Sequence, residues 1–415
     1  MELEGLRGIA ALSVVIHHFV FAYFPYLLEG GNTVRHSRFE DNIYGTPLAL
    51  IYAGTFAVAV FFVLSGFVLS IGYFQTKNEM IIKKLASKRY LRLMLPALAA
   101  TMLCFVLLSL GAPKLITATA AITQSEWLAG TWSMDSSIFG ALYSGAIGIF
   151  LQSGSAYDNV LWTMMIEFFG SFLVFGFLLL FAKSKYRWIM YLALAVVTFN
   201  SWFLPFIIGM ALADAYAQGW LSKLANRTSL IVTLVVGGLI LGSFPHGKVT
   251  GTAYQLIDLQ ALHIGVKTEM LYLTVGATMI LLAVLVSSRL KQWFSAGWVS
   301  NLGKYTFSLY LTHLAILYTV TSAAFLLFNQ SVGYTTAALL GLAVSLPVIW
   351  LVTRLFERYV DAPSIRFAKY AAELYDGKRQ LPDLGKAVWA REIEAYRAAH
   401  SVWYSRTVDL LAVND

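Results

Sequence analysis

Leu3-Glu4-Gly5-Leu6-Arg7-Gly8 opens the chain, and an apolar run then carries it to His17-His18-Phe19. Arg7 and His18 are eleven residues apart. At 3.6 residues per turn that is close to three turns, so both side chains share one helix face, about 16 Å apart along the axis. If this helix crosses a bilayer whose hydrocarbon core is roughly 30 Å thick, Arg7 stands near one surface and His18 near the midplane. A cation and an imidazole on one face of a membrane helix are costly unless that face meets protein or water. An Arg snorkelling to headgroups and a hydrogen-bonded core His would give the same pattern. Other stretches have to decide.

Composition makes a membrane helix the right frame. Of 415 residues, 58% are hydrophobic and only 13% are charged, with a mean hydropathy of +0.68. Soluble domains run nearer a quarter charged. The expected fold is all-α, a polytopic integral membrane protein with about ten spans. They fall near 4–27, 48–74, 94–112, 158–182, 186–200, 202–218, 229–244, 268–288, 305–328 and 334–356. The Gly-rich apolar region 136–152 is expected to be re-entrant or interfacial. The first segment begins with Glu2 and Glu4 rather than a basic stretch, so it is not expected to be cleaved as a signal peptide. The single Cys104 allows no intrachain disulfide.

The cations set the orientation. Alternate loops and the tail hold 24 Lys and Arg residues, and the opposite loops hold five (Arg35, Arg38, Lys114, Lys248, Lys267). That asymmetry places both termini in the cytoplasm, with Arg7 at the cytoplasmic end of the first span. It also accounts for a pI near 9.3, so the bilayer is the expected partner and nucleic acid is not. Residues 1–360 read as the transmembrane domain and 361–415 as a cytoplasmic tail. Within that tail, 385–412 carry the apolar spacing of a surface amphipathic helix.

Four further stretches carry polar chemistry. Ser65-Gly66 in the second span forms a small-residue notch. Arg89 and Arg92, three residues apart, project from one helical face; paired guanidinium forks suit bidentate phosphate binding, and equally a positive flank on anionic lipid. Glu167 lies inside an apolar helix that begins near Trp162, and an intramembrane acid needs a partner, a proton or water. Tyr305, Ser308 and Thr312 fall near one face of the ninth span, beside Tyr310 and His313. His263, at a loop or span edge, reads most simply as structural. No His or Cys pair has metal-ligand spacing with a carboxylate nearby, and adjacent His17 and His18 point about 100° apart, so no metal is expected. There is no Gly-Xaa-Ser-Xaa-Gly elbow and no phosphate-binding glycine loop.

Taken together the stretches resemble membrane-bound acyltransferase family 3. Five of its patterns occur in order. They are Gly-Leu-Arg-Gly with Arg7 and His18, Phe-Phe-Xaa-Leu-Ser-Gly-Phe at 61–67, and Arg-Xaa-Xaa-Arg at Arg89 and Arg92; then come Trp162-Xaa4-Glu167 and Ser-Leu-Tyr-Leu-Xaa-His ending at His313. A closing stretch, Phe356-Glu357-Arg358 to Pro363, is also similar. Glu4 replaces the family's usual Asp, and Thr163 its usual Ser.

The resemblance implies O-acyl transfer, acetyl foremost, from cytoplasmic acyl-CoA to a hydroxyl of a glycan, a lipid-linked sugar or another carbohydrate-containing acceptor. No tightly bound cofactor is implied; acetyl-CoA would be a substrate. Arg89 and Arg92, with Arg7, would hold the CoA phosphates, and Trp162, Tyr310 and His313 would line the substrate pocket. His18 would be the general base, an acyl-His18 intermediate staying open, with Glu167 orienting it. The competing class is a transporter or proton-coupled exporter with Arg7, His18 and Glu167 along its path; the absence of internal repeats and of paired broken helices counts against it. A non-catalytic scaffold or sensor would not need those three groups buried.

Overall fold

The computed structural model describes residues 1–375 apart from 32, 135, 153, 263 and 264. Helix is the only regular secondary structure among the described residues. In chain order the helices at the expected spans are α1 (Glu2–Tyr23), α2 (Gly54–Thr76), α3 (Glu79–Ser109), α4 (Trp162–Leu180) and α5 (Arg187–Val197). They continue with α6 (Leu204–Ala217), α7 (Thr228–Gly242), α8 (Thr268–Val286), α9 (Gly297–Phe328) and α10 (Tyr334–Leu374). Seven of them, α1 to α4 and α8 to α10, are long and apolar enough to cross a membrane. The chain is an integral membrane protein.

The other three are shorter than ten full crossings require. Helices α5, α6 and α7 have 11, 14 and 15 residues, about 17, 21 and 23 Å at 1.5 Å per residue. A bilayer core is roughly 30 Å thick. Hydropathy found these segments but is blind to where the backbone breaks, here at the turns between Val197 and Leu204. Region 136–152 forms a broken helix, Ile138–Leu151, interrupted by a π turn at Ser144–Gly148 and packed on α3. Helix α3 starts fifteen residues before the expected 94, because Asn78 caps it by accepting the Met80 N–H at 2.9 Å. The basic stretch with Arg89 and Arg92 is therefore a rigid extension of the helix.

Helix α2 is the hub, packed against α1, α4, α6 and α8 and buried over most of its length. Gly66 explains its closest approach: a Cβ there would lie 2.2 Å from the Phe206 carbonyl oxygen of α6. Outward faces of α4, α5 and α10 expose Leu179, Leu192, Val197, Leu339 and Leu351, as lipid-facing surfaces do.

The second close approach positions the site. Helices α1 and α9 pack along each other, and a Cβ on Gly303 would fall 2.3 Å from the Glu4 carbonyl oxygen. Backbone cannot yield there without separating the two helices. Gly303→Ala is expected to destabilise the protein by about 1–3 kcal/mol, the range for overpacking a tight contact. Thermal unfolding in detergent reads this directly, and a wild-type midpoint would show that α1 and α9 do not depend on that contact.

Two of the long helices carry π turns, Leu317–Thr321 in α9 and Glu357–Asp361 in α10. Such turns are frequent at functional sites because they re-aim side chains without ending the helix. Met1–Arg366 forms one compact unit. The expected tail helix at 385–412 lies outside the described residues, as does His263.

Candidate active site

Helices α1, α2, α3, α4, α9 and α10 line a cavity of about 540 Å³. Four cations line it, and each already holds a carboxylate. Arg7 donates to Glu4 at 3.0 Å, and Arg89 donates to Glu167. Arg92 donates to Asp361 at 2.5 Å, while Lys304 lies 3.6 Å from Glu357. Charge-assisted bonds of this kind satisfy groups that would be expensive to bury alone. Arg92 also lies over the Phe307 ring, 5.1 Å from its centroid.

The local structure explains these pairings. Arg89 and Arg92 project from one face of α3, as their three-residue spacing requires. Glu167 ties three helices together: it accepts from Arg89 of α3 and from Ser65 Oγ of α2 at 2.8 Å, while its own backbone is in α4. The π turn of α10 presents both Glu357 and Asp361 to the cavity. Arg89 Nε is buried and makes no hydrogen bond, so this guanidinium keeps an unused donor.

Tyr310 forms the inner wall. Its hydroxyl is 2.9 Å from Thr163 Oγ1 and donates to the Val160 carbonyl at 2.9 Å. Three residues on, along the same face of α9, His313 lies with its ring centroid 6.3 Å from that of Tyr310. His313 meets His18 across the α1–α9 contact, Nε2 to Nδ1 at 3.0 Å, with ring centroids 5.0 Å apart. The His18 ring also lies 5.6 Å from that of Trp127, and Trp127 stacks on Phe21 at 5.1 Å.

Five of the sequence-derived residues thus surround one cavity: Arg7, Arg89, Arg92, Glu167 and Tyr310. His18 and His313 form a pair beyond Tyr310 rather than part of the cavity lining. Trp162 is outside that lining too, packed 5.9 Å from Trp202. The orienting role expected of Glu167 toward His18 is not what the geometry provides. Arg89 and Ser65 occupy its carboxylate, and among the described residues no hydrogen bond joins it to His18. His17 points elsewhere, its Nδ1 2.9 Å from the Tyr52 carbonyl. Two lining residues are not among those singled out from the sequence as site residues: Lys304, one of the 24 loop and tail cations, and Ser65, part of the small-residue notch and of the Phe-Phe-Xaa-Leu-Ser-Gly-Phe stretch. Asp361 and Glu357 carried a signal, since they belong to the closing stretch of the resemblance. Among the described residues no three His, Cys, Asp or Glu side chains are grouped to hold a metal ion.

The family described as an acyltransferase domain, acyltransferase family 3, matches residues 2–354. The chain belongs to that family. Its match takes in α1 through the first half of α10, and ends before the α10 residues Glu357 and Asp361 that line the cavity. A curated relative, the O-acetyltransferase PaAT-1 of Phomopsis amygdali, is 25% identical over 439 aligned positions, covering 93% of this chain and 87% of its own length. No solved structure matches the chain. Family 3 membership makes the protein a membrane acyltransferase.

Proposed function

We propose that this acyltransferase moves an acyl group, acetyl foremost, from cytoplasmic acyl-CoA to a hydroxyl of a glycan or other carbohydrate-containing acceptor. One observation carries the reading: a cavity with four cations ends at Tyr310, and the His18–His313 pair lies immediately beyond it. A volume of about 540 Å³ falls within the 300–1,000 Å³ range of small-molecule sites. Arg7, Arg89, Arg92 and Lys304 would exchange their carboxylate partners in part for the CoA phosphates, Arg89 through its unused Nε–H as well. The thioester then points along α9 toward His18.

His18 acts as general base in this scheme. The acceptor hydroxyl loses its proton to the imidazole as its oxygen attacks the thioester carbonyl, and the C–S bond breaks to release CoA. Trp127, 5.6 Å from the His18 ring and stacked on Phe21, offers an aromatic wall on which a sugar face could stack. The cytoplasmic placement of the cavity follows the charge asymmetry of the loops.

Labelled acetyl-CoA and the purified protein in detergent test this. Saturable binding that free CoA displaces, with label passing to an added glycan acceptor, is the expected result. A folded protein that binds no acetyl-CoA would mean another donor and would remove the phosphate role from the four cations.

A further inference from the structure

We infer that His313 is a positioning residue that, together with the Val14 carbonyl, fixes His18 in its Nδ1–H tautomer and supports its imidazolium, making His18 Nε2 the atom that receives the acceptor's proton. The inference rests on the acyl-transfer reading above and specifies how its base is prepared.

Three contacts decide the tautomers. His313 Nδ1 lies 3.0 Å from the Leu309 carbonyl, and His18 Nδ1 lies 3.0 Å from the Val14 carbonyl. A carbonyl oxygen only accepts, so each Nδ1 must carry the hydrogen. His313 Nε2 is then an unprotonated lone pair in the neutral ring, and it faces His18 Nδ1 at 3.0 Å. The His18 Nδ1–H is therefore shared between Val14 and His313. The opposite choice would set two nitrogen lone pairs against carbonyl oxygens at 3.0 Å. Only one arrangement satisfies all three contacts.

The consequence falls on the remaining nitrogen. His18 Nε2 makes no hydrogen bond among the described residues and is not among the enclosed unpartnered atoms. His313 is 1% exposed whereas His18 keeps partial exposure. The inner ring is thus the fixed support and the outer ring the reactive one. As the acceptor oxygen bonds to the thioester carbon, its proton passes to His18 Nε2. When the C–S bond breaks, the departing thiolate takes that proton back, and both rings return to their starting state. Between those events His18 is an imidazolium, and the His313 Nε2 lone pair stabilises it through Nδ1–H. A second helical device serves the same end: each ring is anchored to the carbonyl four residues back on its own helix, so the contact depends on how α1 and α9 pack rather than on a loop.

Two measurements test the assignment. Ring nitrogen NMR of histidine-labelled protein in bilayers, with His18 identified by signals lost in His18→Ala, should show His18 protonated at Nδ1 and bare at Nε2 near neutral pH. The reverse tautomer overturns the proposal without reference to activity. In turnover assays His313→Leu should lose about 10–10²-fold in kcat, the worth of one hydrogen bond to the His18 imidazolium, with the KM for acetyl-CoA within about threefold of wild type. His313→Gln, whose amide oxygen can accept the same hydrogen, should recover most of that loss. Equal loss in His313→Gln and His313→Leu, with KM raised in both, would make His313 merely structural. Full turnover in His18→Ala would instead remove the base itself, a failure of the broader reading that these arms keep separate.

Discussion

His18→Ala is expected to lower acyl transfer by about 10²–10⁴-fold while leaving donor binding unchanged, the range that a positioned general base supplies. The separation of effects follows from placement. The cations that would hold the donor line the cavity on the near side of Tyr310, and His18 is not part of that lining. Its removal costs little packing, because α1 keeps its buried apolar face of Leu6, Ala10, Val14 and Phe19. The other cost is that His313 Nε2 loses the hydrogen it accepts, which touches neither α3 nor the cavity cations. Equilibrium binding of acetyl-CoA beside single-turnover transfer would check the split. Wild-type transfer rates in the variant would place the base elsewhere.

Arg89→Ala should have the largest effect on both stability and donor affinity. It strips Glu167 of its cation, leaving a carboxylate with 17% side-chain exposure supported only by Ser65. Breaking one side of a buried ion pair costs about 3–5 kcal/mol, because the survivor stays buried and charged; the partial exposure here points to the lower end. Donor affinity should fall by about 10–100-fold, the worth of one or two charge-assisted phosphate bonds. A second substitution separates the causes. Arg89→Ala with Glu167→Gln relieves the uncompensated charge, so thermal stability should return while affinity stays low. Affinity that returned along with stability would assign Arg89 to the fold alone.

What the sequence made legible was local. Arg7 and His18, or Arg89 and Arg92, are related by helical periodicity within one segment, and a single helix is all that relation needs. Partners across helices were another matter. His18 meets His313 over a separation of 295 residues, and Glu167 meets Arg89 over 78. No periodicity encodes such a pairing; packing at contacts such as Gly303 against Glu4 does. Assigning Glu167 to His18 therefore matched two residues of similar depth that belong to different clusters. The span count is supported for seven helices, and the remaining three differ for a related reason. Apolar content is additive along the chain, whereas crossing a bilayer needs unbroken length, which α5, α6 and α7 lack.

The pairing of every cavity cation with a carboxylate bears on how such a site meets the small anions around it. Four positive and four negative groups line it, so beyond a screening length of about 8 Å it presents almost no net field. Inorganic phosphate and abundant nucleotides would not be drawn toward it by long-range attraction. A polyanion gains from the guanidinium groups only after it has arrived close enough to displace their partners, and only if its other parts fit the space beneath. Discrimination then depends on contact rather than on capture, and donor affinity should fall only shallowly as salt is raised.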